Sequence, residues 1–134
     1  MPHVSRNKLD KTTEAKLIHT LQVILSGISK EVEMDQFLVS LLSDTEQLML
    51  AKRVAIILLL QQGNEADSVA KAIHVTRETV ERLKIHFELN GNGYAVAFRV
   101  LESKKLGEDV KQMLTDLLTY AARAAGGRAK FDIF

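Results

Sequence analysis

The segment Leu48 to Leu60, LMLAKRVAIILLL, is the strongest constraint on how this chain folds. Its apolar residues do not keep to one stripe. Wound as a helix, they face almost every direction, with Lys52 and Arg53 as the interruptions. Such a helix has to be enclosed by other helices, at the centre of a fold or of a dimer. It is not a membrane span, because the run Val54 to Leu60 falls far short of the roughly 20 residues that a spanning helix needs.

The surrounding sequence supplies helices to do the enclosing. One proline and seven glycines in 134 residues leave few points where a helix must break. Leu17, Ile18, Leu21, Ile24, Leu25 and Ile28 recur at helical spacing and predict a helix from about Thr13 to Ile28, capped by Thr12 or Thr13. Phe37, Leu38, Leu41 and Leu42 give the inner face of a second, from Glu33 to Leu42. Ser43 followed by Glu46 is a capping-box pattern and starts the long central helix, which Gly63 and Asn64 end. After the segment ELNGNGY, Glu88 to Tyr94, a further helix is expected from Tyr94 to Lys104. The last, about 108–125, has the stripe Val110, Met113, Leu114, Leu117, Leu118 and Ala121; a tail, 126–134, follows. No length of strand-like alternation occurs, so the class is all-α, read as a single domain over 1–134.

Between the central helix and ELNGNGY lies VAKAIHVTRETVERL, Val69 to Leu83. It has the pattern of a helix-turn-helix, spanning about 65–88. Two helices that cross closely need a small residue at the crossing, apolar residues pointing inward, and polar residues on the outer face of the second helix. Ala70 is the small residue. Val69, Ile73, Val75, Val80 and Leu83 supply the inward set. Thr76 suits the amino-terminal cap of the second helix. His74 takes the corner, where a left-handed backbone favours glycine but tolerates histidine at a cost on the order of 1 kcal/mol. The outer face offers Thr76, Arg77, Glu78, Thr79, Glu81, Arg82 and Lys84. Arg77 and Thr79 suit base edges, Arg82 and Lys84 phosphates. The stretch is not basic: Lys71, Arg77, Arg82 and Lys84 stand against Glu65, Asp67, Glu78, Glu81 and Glu88. DNA binding then requires modest affinity, acids turned away from the phosphates, or cations from elsewhere, such as Lys104, Lys105, Arg123, Arg128 and Lys130.

Taken together, LLSDTE, KRV at Lys52 to Val54, this segment and NGNGY at Asn90 to Tyr94 resemble the Trp-repressor-like family, in particular its YerC/YecD-type branch. The resemblance covers Leu41 to Leu101. It implies an intertwined all-helical homodimer that binds double-stranded DNA as a transcriptional regulator; the helix-turn-helix pattern assigns Thr76, Arg77, Glu78, Thr79, Arg82 and Lys84 as the DNA-binding residues. In the repressor proper, two arginines and a glycine shape a tryptophan pocket; they match Arg53, Arg82 and Leu83 here. A leucine fills the space that the indole ring needs, so no tryptophan response is expected and the effector, if any, is unknown.

Other chemistry is poorly represented. With no cysteine, there are no disulfides and no thiolate catalysis. His3, His19, His74 and His86 show no metal-ligand spacing, and GNG is too short to be a phosphate loop. No cofactor or metal is implied, and an enzyme is not expected. MPHVSRNKLDK lacks a signal peptide's apolar core, so a cytoplasmic location and no membrane partner are expected. The alternative to a DNA reader is a helical protein-interaction module on the same scaffold.

Overall fold

The computed structural model describes residues 7–102 and 106–124, the side chain of Leu106 excepted. These residues form seven helices and no strand: α1 (Lys11–Gly27), α2 (Glu31–Leu41), α3 (Asp44–Gln61), α4 (Ala66–Ile73), α5 (Arg77–Asn90), α6 (Asn92–Glu102) and α7 (Leu106–Ala124). The chain divides into two compact units whose boundary falls inside α3, after Gln47. Ala125 and the tail lie outside the described residues.

In the first unit, α1 starts earlier than the periodicity suggests. Asp10 caps it, accepting from the Thr13 backbone N–H at 2.6 Å, so Thr13 is the donor in the cap rather than the cap itself. Neither α1 nor α2 has a buried residue. Leu17, Ile18, Leu21 and Ile24, the expected inner stripe of α1, are between 39% and 58% exposed in the single chain. The start of α3 is as expected: the Ser43 N–H donates to Glu46 Oε1 at 3.1 Å, and the Glu46 N–H donates to Ser43 Oγ at 3.2 Å.

The second unit holds the core. Ile56, Leu58 and Leu59 of α3 meet Val69, Ala70, Ala72 and Ile73 of α4, Val80 of α5, and Leu114 and Leu118 of α7. Helix α4 packs most extensively on α7, then on α5. The central helix meets its expectation over one half only. Ile56, Ile57 and Leu59 are essentially inaccessible, whereas Leu48, Met49, Leu50 and Val54 stay exposed in the single chain. It ends where Gly63 turns to φ 88°, with Gly63 N–H donating to Leu60 O and Asn64 N–H to Leu59 O. This pair of bonds satisfies the orphan carbonyls of the last turn.

The expected break at ELNGNGY is much shorter than the sequence suggests. Helix α5 runs on to Asn90, and only Gly91 separates it from α6. A Cβ at Gly91 would lie 2.6 Å from the Phe87 carbonyl oxygen, so glycine is required for the tight joint. Phe87 meets Tyr94 and Phe98 edge-on, with ring centroids 5.8 and 6.4 Å apart, and these contacts pin α6 across the joint.

Candidate nucleic-acid interface

The α4–α5 pair is built by local chemistry at its corner. His74 adopts φ 59°, ψ 54°, the left-handed conformation. The Val75 N–H then reaches back to the Ala70 carbonyl at 3.1 Å, closing the end of α4. The His74 carbonyl accepts from Lys52 Nζ of α3 at 3.3 Å, so one cation of KRV is spent on this corner. Val75 packs half-buried on the core, as expected for the turn. Thr76 caps α5, accepting from the Thr79 N–H at 3.2 Å, and the two hydroxyls lie 2.9 Å apart.

Burial then decides which face of α5 is free. Val80 is fully buried and Leu83 packs against the core, so Arg77, Glu78, Arg82 and Lys84 remain exposed. Thr79 sits beside the cap. It is half-buried, with its hydroxyl engaged by Thr76, so it belongs to the cap more than to the open face.

The acids of this region are not turned away from the arginines. Arg77 Nη1 lies 3.3 Å from Asp67 Oδ2, and its Nε lies 3.7 Å from Glu81 Oε1. Arg82 Nη2 lies 2.8 Å from Glu78 Oε1. The two arginine side chains are 64% and 70% exposed. Ion pairs this open to water contribute about 0–1 kcal/mol each and weaken with salt, so a polyanion can displace them. Lys71 and Lys84 are exposed and have no acidic partner among the described residues. Of the other cations considered, Arg123 is exposed, while Lys104, Lys105, Arg128 and Lys130 lie outside the described residues.

Of the residues matched to an amino-acid pocket, Arg53 is exposed and Arg82 pairs with Glu78. Leu83 points its side chain into the same packing as Val80. Among the described residues, no group of three or more histidines, aspartates and glutamates lies close enough to hold a metal ion, and no helix is long and apolar enough to cross a membrane.

The cross-helix pair of Arg77 and Asp67 and the Lys52 bond to the corner were invisible in the sequence. Both depend on where α4 and α3 place side chains relative to α5, and no spacing rule reports that. Comparison with known proteins gives no match: no family model, no curated protein and no solved structure matches the chain.

Proposed function

We propose that the chain is a DNA-binding regulator of the Trp-repressor-like kind, reading the major groove with α5 as the second helix of a helix-turn-helix, as a homodimer. The observation that carries this reading is the α4–α5 corner. A left-handed His74, a capping Thr76 and buried Val69, Ala70, Ile73 and Val80 together present Arg77, Glu78, Arg82 and Lys84 on one open helix. A recognition helix enters the major groove with its first residues at the bases, and the exposed start of α5 supports that reading. The uncovered apolar faces of α1, α2 and the first half of α3 support the dimer, because a second copy is the simplest cover for them.

The near-neutral charge of the region makes affinity modest and salt-sensitive. With Lys71 and Lys84 without an acidic partner among the described residues and the two arginines exposed, log affinity for duplex should fall steeply and linearly with log salt concentration. Fluorescence anisotropy with a labelled duplex measures this. Lys84→Ala should weaken every duplex alike and flatten the salt slope by about one, whereas Arg77→Ala should relax sequence preference. No duplex binding at low salt, or no effect of either substitution, would favour the protein-interaction module. Leu83 packed on the core supports the absence of a tryptophan response; micromolar tryptophan binding by calorimetry would reject that part of the reading.

A further inference from the structure

We propose that Asp67 is a positioning residue that, with Glu81, orients the Arg77 guanidinium to read guanine; the inference rests on the DNA reading above. Arg77 is the first residue of α5, the end of a recognition helix that faces the bases. Two carboxylates from different helices hold it. Asp67 of α4 engages Nη1 at 3.3 Å, and Glu81, one turn along α5, lies 3.7 Å from Nε. Nη2 has no acceptor among the described residues. A guanidinium is a planar fork of donors, and the hydrogen bond from Nη1 to Asp67, with the Glu81 charge on the Nε side, biases its plane without locking it. Nη2 and the second N–H of Nη1 can still donate, and a two-bond contact from them needs two acceptors side by side on one base. In the major groove, guanine alone offers that pair, O6 and N7.

Arg82 shows the contrast. Its partner among the described residues, Glu78, sits on its own helix, so Arg82 turns with α5 and has no strut from α4 there. Asp67 also has a cost, since a carboxylate near the phosphates lowers affinity for every sequence. A residue that lowers general affinity while orienting a base reader raises the contrast between right and wrong sites.

The test is parallel selection of duplexes from a random pool by the wild-type chain, Asp67→Asn and Arg77→Lys, with thermal unfolding of each. Asp67 is 56% exposed, so its amide variant should fold. The wild type is expected to select guanine at one position of each half-site by about tenfold or more, the discrimination a bidentate pair supplies. Asp67→Asn should cut that preference to about threefold or less, keep the other positions, and bind mixed-sequence duplex about twofold more tightly. Arg77→Lys, which keeps the charge and loses the fork, should lose the same position. An unchanged guanine preference in Asp67→Asn overturns the role of Asp67 and leaves the DNA reading intact, as does an equal loosening of every position. A wild-type chain that selects no motif overturns both.

Discussion

At Ser43 and Glu46, two residues decide where the central helix begins, and pH can interrogate them. The Ser43 backbone N–H, and then its hydroxyl, holds the Glu46 carboxyl below its ordinary value of 4.5. A carboxyl whose folded-state value is depressed favours the fold above the unfolded-state value, and that contribution is lost as pH falls through the folded-state value. Carbon-detected NMR titration should therefore give Glu46 a midpoint below 4.5, and Glu46→Gln, which can still close the box, should remove this part of the acid sensitivity. A midpoint at or above the ordinary value contradicts the capping geometry. His74 offers a second test. Glycine there should stabilise the fold by about 0.5–1 kcal/mol in urea unfolding, and valine should destabilise it by about 1–3 kcal/mol, because a β-branched residue strains a positive φ. Caps and corners of this kind were legible because their chemistry is local: Ser43, Thr76, Gly63 and His74 all act within a few residues. Asp10 was missed because it lies well ahead of the first apolar repeat. The Asp67–Arg77 pair was missed because it joins two helices.

Helices were legible as elements and less so in their burial. The stripe of α7 named Leu114 and Leu118, which are almost completely buried, but equally Met113 and Leu117, which are 50% and 37% exposed. Periodicity reports a face, and only the packing of α4 decides which part of it is covered. Leu118→Ala should therefore cost about 2–5 kcal/mol in urea unfolding, and Met113→Ala under about 1 kcal/mol. Comparable losses at the two positions would mean that α7 does not dock on α4 through Leu114 and Leu118. The joint between α5 and α6 shows the same limit. Two glycines and two asparagines suggest a loop, yet the chain turns at Gly91 alone, and Phe87 meets Tyr94 and Phe98 across that turn. Edge-on ring contacts between residues seven and eleven apart lie beyond any turn rule.

For the whole molecule, the feature to account for is apolar surface left open in a single chain. Leu17, Ile18, Val32, Val39, Leu48 and Leu50 are each about half exposed or more. In the proposed dimer, a second copy would cover these faces and account for both the stripes and the all-round apolar character of α3. Sedimentation equilibrium at micromolar concentration should give twice the 15.0 kDa chain mass, and Ile18→Asp should shift it toward the monomer. A monomer at every concentration would reject the dimer. The all-helical class is legible from breaker scarcity and periodicity; the DNA reading comes from the helix-turn-helix pattern and the dimer from the all-round apolar central helix, each strengthened by the resemblance. The most direct measurement is the set of sequences the wild-type chain enriches from random duplexes. The account predicts a two-fold-symmetric motif whose half-sites are centred about one helical turn apart, with guanine at a fixed position in each. A pool that stays random after selection, at salt low enough for weak complexes to survive, would contradict it.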